Sequence, residues 1–253
     1  MTSIIPTSSK GLNEEKKAPS SNGQAEGEKK ISERIRARLV AEGVSFLAND
    51  NVSEHIQPGE LEELEIEVAE RVRDLLETLL IDVDNDHNTE ETAERVARMY
   101  LNEVFKGRYQ KQPKVTSFPN VKQLDEIYTV GPITVRSACS HHFVPIMGSC
   151  WIGIKPGNRV IGLSKFARVA DWVFSRPHIQ EEAVMILADE IERLCEPQGL
   201  GIIVRAEHYC MKLRGVMEPQ CTMVNSVVRG VFRHDSSLKQ EFFELVRQQE
   251  ASL

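Results

Sequence analysis

No apolar run in these 253 residues approaches the roughly 18 that a membrane-crossing helix needs. The N-terminal stretch lacks the charged-then-apolar layout of a secretory signal. Basic residues are not in surplus either: 31 Lys and Arg face 38 Asp and Glu, a net charge of −7. That balance excludes a general nucleic-acid binder, whose surface would be dominated by positive charge. Cysteine is scarce and odd in number, with five residues at 139, 150, 195, 210 and 221. No disulfide framework follows from such a set, and a reducing compartment does. A soluble cytoplasmic protein is the expectation, with no membrane and no nucleic-acid partner.

What the chain does contain is enough apolar material, 41% of residues, for one substantial core. Residues 1–30 are rich in Ser, Gly, Lys and Glu and read as a disordered tail. Residues 31–120 read as a helical region. Ile31, Ile35, Leu39 and Val44 space a weakly amphipathic helix over 31–47, and Leu61, Leu64, Val68, Val72, Leu75 and Leu79 a stronger one over 61–81. The acidic loop Asp82–Asn88 lacks the central Gly and closing Glu of a calcium loop. Thr89 stands where a helix cap would open a segment running to Phe105. From residue 121 to 253 the texture changes. Strands are expected over 127–139, 148–154, 202–214 and 224–232, with helices over 163–174 and 179–195 between the two pairs and a last helix over 238–249. The order ββααββ predicts an α+β fold, an antiparallel four-stranded sheet with helices on one face and an N-terminal helical extension.

The chemistry concentrates at Cys139-Ser140-His141-His142, at the end of the first strand. Cysteine and histidine are the usual zinc ligands, and a C-x2-H spacing lets both reach one ion. A third candidate is Cys210, within His208-Tyr209-Cys210-Met211-Lys212-Leu213-Arg214. Read as a strand, that segment puts His208, Cys210, Lys212 and Arg214 on one face. Three protein ligands with an open fourth position is the pattern of a catalytic zinc. The competing reading is an incidental pair without a metal.

With these motifs in hand, the sequence resembles GTP cyclohydrolase I over roughly residues 61–248. The resemblance rests on the Cys-Ser-His-His run, on Ile161-Gly162-Leu163-Ser164-Lys165, on Gln180-Glu181, on His208 through Gly215, on Gly230-Val231-Phe232 and on Glu91-Thr92-Ala93-Glu94-Arg95, all in the family's order. It implies the tunnelling fold and a homo-decamer of two stacked pentamers with active sites at subunit boundaries. It implies zinc held by Cys139, His142 and Cys210, and catalytic histidines at His141 and His208. It implies that Ser164, Lys165, Arg168 and Arg214 hold the ribose or triphosphate of GTP, and Gln180 and Glu181 the purine. The implied reaction opens the imidazole ring of GTP at C8 by hydrolysis, releases formate, and recloses the rearranged ribose as 7,8-dihydroneopterin triphosphate, the first step of pterin and tetrahydrofolate biosynthesis. Repeated proton transfers of that kind suit histidine.

The residues also admit plainer readings. His141 would then only orient His142, and His208 would be a buried structural histidine. Lys165 and Arg168 would form a solvated helix face, and Glu181 would complement a helix dipole. Four departures from the family's usual pattern stand out: Ser140 in place of Glu, Glu182 after the Gln-Glu pair, Ala93 where Pro is common, and a 217–226 segment poor in Thr and Ser. A divergent relative with a regulatory or GTP/pterin-binding role, or an enzyme acting on another purine, is the alternative. A feedback partner and the downstream pathway are not legible.

Overall fold

The computed structural model describes residues 29–252, so nearly all of the expected tail lies outside the described residues. In chain order the elements are α1 (Ile31–Ala41), α2 (Glu60–Thr78), α3 (Thr92–Arg98) continued by a π turn (Met99–Val104), α4 (Lys106–Tyr109), β1 (Ser117–Pro119), β2 (Tyr128–Cys139), β3 (Pro145–Lys155), β4 (Arg159–Ile161), α5 (Leu163–Phe174), β5 (Pro177–His178), α6 (Gln180–Cys195), β6 (Gly199–His208), α7 (Tyr209–Lys212), β7 (Met223–Gly230), α8 (Val231–His234) and α9 (Ser236–Ala251).

Strands β2, β3, β6 and β7 form the expected antiparallel four-stranded sheet. A two-residue addition was not foreseen: β5 runs parallel to the end of β2, pairing Ala138 with Pro177 and Cys139 with His178. Side chains alternate across a strand, so Cys150, Ile152 and Ile154 of β3, with Leu200, Ile202 and Val204 of β6, face one way. They are buried beneath α5 and α6, against Phe166, Val169, Val173, Val184, Leu187 and Ile191. Each such side chain contributes about 1.5–3 kcal/mol on leaving water. Trp151 faces the opposite way and joins Phe232, Phe242 and Val246 beneath α9. The ring of Phe242 reaches the sheet because Gly153 and Gly201 are partners in the β3–β6 ladder. Asp235 caps α9, accepting from the Ser237 and Leu238 backbone N–H groups at 2.8 and 3.1 Å.

Several boundaries differ from the sequence reading for local reasons. Helix α1 stops at Ala41 rather than at 47. Gly43 takes φ +64° and donates to Val40 O, while Val44 donates to Leu39 O, a Schellman ending. Helix α2 stops at Thr78 by the same device with Leu80 at φ +63°. Thr89 does not cap α3; its hydroxyl bonds to Asp86 instead, and the helix opens only at Thr92. Helix α1 is fastened to α2 by polar clasps. Arg38 makes two bonds to Glu60, at 2.6 and 2.7 Å, and Ser32 two to Glu67. Along α2 only Glu60 is buried, and Ile66, Leu75 and Leu79 are 65%, 56% and 61% exposed. Among the described residues no helix is long and apolar enough to cross a membrane.

Candidate metal centre and active site

The ligand loop is the turn between β2 and β3. Cys139 N–H donates to Val144 O at 2.9 Å, and Phe143 N–H donates back to Cys139 O at 2.8 Å. Four residues, Ser140 to Phe143, therefore reverse the chain. Phe143 absorbs the turn at φ +54°, which costs a non-glycine residue about 1 kcal/mol. Its ring is held edge-on to Phe105 at 5.3 Å and lies 6.1 Å from Tyr100, contacts that offset the strain. On the other edge of the loop, Ser140 N–H donates to His178 O at 3.0 Å.

Cys210 arrives differently from the expectation. The strand ends at His208, and Cys210 lies in the helical turn α7, so the shared face of His208, Cys210, Lys212 and Arg214 does not form. The convergence survives this correction. The ligand atoms of Cys139, His142 and Cys210 all lie within 4.8 Å of one another. With Zn–S near 2.3 Å and Zn–N near 2.0 Å, tetrahedral edges are about 3.5–3.8 Å. A small inward movement therefore satisfies all three, and two sulfurs with one imidazole are a donor set that fits zinc. Burial, with the neighbouring Cys139 sulfur adding to it, pushes the Cys210 thiol up; a divalent cation among these atoms would reverse that balance. Arg214 Nη1 donates to His142 Nε2 at 3.0 Å.

Beside this cluster, His208 Nε2 lies 2.8 Å from Gln180 Oε1. Burial lowers the His208 pKa, and the Glu181 carboxylate opposes that shift. Gln180 opens α6, is only 3% exposed, and has no side-chain atom to spare. Its Nε2 donates to Asn225 Oδ1 at 2.6 Å and to Val204 O at 3.2 Å. Asn225, on β7 opposite Val204, was not picked out by sequence reasoning. His141 is exposed, its ring 6.3 Å from that of His142.

Residues 68–247 match the family model for GTP cyclohydrolase I. The chain belongs to the GTP cyclohydrolase I family. Curated relatives named GTP cyclohydrolase 1 include one from Aliivibrio salmonicida, 32% identical over 84% of this chain and 95% of its own length. Another, from Actinobacillus pleuropneumoniae serotype 5b, is 33% identical over 85% and 96%. A third, from Haemophilus ducreyi, is 36% identical over 71% and 83%. A solved archaeosine synthase QueF-Like in the apo form overlaps 47% of this chain and 97% of its own, at 12% identity and a TM-score of 0.32, too loosely to carry an argument. The sheet and its helices are the family's tunnelling fold.

Against the residue set that resemblance to the GTP cyclohydrolase I family implied, the single chain brings some residues together and holds others apart. Cys139, His142, Cys210 and Arg214 meet, and His208 with Gln180 adjoins them. Glu181 and Glu182 are exposed on the first turn of α6, where Asn49 Nδ2 donates to Glu182 at 2.8 Å and leaves Glu181 free of that contact. Ser164, Lys165 and Arg168 lie on the first turns of α5, with Lys165 Nζ donating to Lys114 O at 3.3 Å. The far end of that 12-residue helix leads into β5 beside Cys139, so about 9 to 15 Å of helix lies between these residues and the end nearest the candidate metal ligands. A cavity of about 590 Å³ abuts the same turn, lined by Tyr100, Arg136, Ala138, Phe143 and Met147 but by none of the three candidate ligands.

Proposed function

We propose that this chain converts GTP and one net water to formate and 7,8-dihydroneopterin triphosphate, with zinc as its metal. The observation that carries the reading is the approach of Cys139, His142 and Cys210 to within 4.8 Å next to His208, in a chain of this family. Zinc, when bound there, supplies a Lewis acid that makes water nucleophilic near neutral pH. His208 and His141 move protons as the ring opens and the ribose rearranges. Half-burial disfavours the charged form of His208, which keeps it ready to accept a proton. Glu181 takes the two hydrogens on the guanine edge. Ser164, Lys165, Arg168 and Arg214 hold ribose and triphosphate, with Arg214 turning to phosphate when a metal takes the His142 nitrogen. Gln180 departs from the role its motif suggests: with its amide committed, it orients His208 and leaves the base to Glu181.

The separation of Ser164, Lys165 and Arg168 from the ligand cluster supports a homo-oligomer, in which an adjacent copy completes each site. A ring of the decameric kind meets that need, and the outer edge of β7 is open to such pairing. Incubating the zinc-loaded protein with GTP tests the reading. Formate release together with a fluorescent oxidised pterin is the expected result, and GTP bound but unconverted at full zinc occupancy would overturn it.

A further inference from the structure

We propose that Asn225 is a positioning residue, which fixes the ring and the proton placement of His208 through the amide of Gln180. The proposal rests on the reading of His208 as a proton-transfer group. Its geometry begins at a backbone carbonyl. Val204 O can only accept, and it lies 3.2 Å from the Gln180 amide nitrogen, with Met223 O at 3.5 Å from the same atom. These two carbonyls decide which end of the amide is nitrogen, an assignment that side-chain partners alone leave ambiguous. Gln180 Oε1 must then face His208 Nε2, at 2.8 Å. An amide oxygen accepts only, so Nε2 carries the hydrogen and Nδ1 of the neutral ring keeps its lone pair. The second hydrogen on the Gln180 nitrogen goes to Asn225 Oδ1 at 2.6 Å.

Asn225 is thus the only side chain among the described residues that holds Gln180 from the side opposite His208. Without its oxygen, a buried N–H loses its partner, a loss comparable to that of any buried donor. The amide is then free to tilt toward the carbonyls, and the 2.8 Å contact to His208 lengthens. The imidazole remains, but neither its plane nor its tautomer is held. The arrangement resembles in logic a histidine whose orienting partner selects the reactive nitrogen.

The test uses zinc-loaded full-length protein, three single variants and one double variant. Asn225→Val removes the acceptor, Asn225→Asp keeps an oxygen in the same place, and His208→Ala removes the recipient. In two-bond proton–nitrogen spectra of 15N-histidine protein, the signal lost in His208→Ala should show the Nε2–H tautomer in wild type and in Asn225→Asp, and a mixture in Asn225→Val. With GTP, Asn225→Val should lower kcat about 10-fold with KM within about 2-fold, Asn225→Asp should restore it, and Asn225→Val should add nothing in the His208→Ala background. An Nδ1–H tautomer in wild type overturns the proposal, as does a further drop in the double variant. If wild type releases no formate, the functional reading fails by itself, and the spectra still decide the positioning. If Asn225→Val does not fold, the tautomer in wild type and the rate and tautomer in Asn225→Asp decide: loss of either in Asn225→Asp overturns the role.

Discussion

Gly153 and Gly201 sit opposite each other in neighbouring strands, and a Cβ on either would lie 2.2 or 2.5 Å from the ring of Phe242. Neither ring nor backbone has room to yield, because Phe242 is itself stacked on Phe232 at 5.6 Å. Gly201→Ala is therefore expected to destabilise the protein by about 1–3 kcal/mol, the usual cost of overpacking. Urea unfolding followed by fluorescence measures it. Adding Phe242→Leu should recover part of the loss; two simply additive losses would show that the slot is not what the glycines provide.

Cys210→Ser should leave the protein with much less than the one zinc per chain expected of wild type, because a neutral hydroxyl replaces thiolate poorly. Metal analysis of protein purified without chelator reads this directly. Full zinc in the variant would remove Cys210 from the ligand set.

Base choice should follow Glu181. Guanine offers N1–H and its 2-amino group side by side, and an ionised carboxylate accepts both, whereas adenine presents a lone pair at N1. Glu181→Gln should weaken GTP binding and narrow the preference over ATP by about 1–3 kcal/mol. Glu182→Gln should do little, since that carboxylate is already held by Asn49. Isothermal titration of both variants with GTP and ATP checks the pair, and a loss carried by Glu182→Gln alone would contradict the assignment.

His178 predicts a pH dependence. Burial pushes its pKa down to about 4; a bond from Nε2 to Val173 O at 2.6 Å opposes the shift, and the Arg176 charge adds to it. An unfolded histidine takes a proton near pH 6.5. Between these values the unfolded state binds more protons, so stability rises with pH across the window. His178 costs nothing above about 6.5, and its cost grows as pH falls toward 4, reaching about 3 kcal/mol at a rate of 1.4 kcal/mol per unit. His178→Gln should flatten this part of the stability–pH curve, measured by denaturant midpoints at a series of pH values. Parallel curves for variant and wild type would rule out this histidine as the cause.

The elements with a strong period were legible from sequence. Helix α5 begins and ends where Leu163 and Phe174 were expected, and each of the four long strands overlaps its expected range, with β3 starting three residues early and β6 running Gly199–His208 rather than 202–214. The errors fall where a local event overrides the pattern. The alternation His208, Cys210, Lys212, Arg214 continues in sequence, but the backbone turns helical at Tyr209. Helix α2 keeps its apolar period through Leu79, and a left-handed Leu80 stops it. The convergence of Cys139, His142 and Cys210 was visible because cysteine and histidine declare their chemistry. Asn225 was not, because an amide on a half-buried strand carries no signal until its partner is known. For Gln180 the motif names only a side chain, and the fold adds that its amide bonds to His208, Val204 and Asn225.

The two-residue strand β5 has a mechanical consequence. Pro177 and His178 are laced to Ala138 and Cys139, Ser140 N–H hangs from His178 O, and only Ile179 separates this splice from Gln180 and Glu181. The Ser140–Phe143 turn and the first turn of α6 are thus two arms of one short lever. Were a cation held at Cys139 as proposed, this ladder would link it to the start of α6, where Glu181 sits. By reciprocity, any gain that nucleotide binding took from a bound metal would be returned in equal measure to the metal.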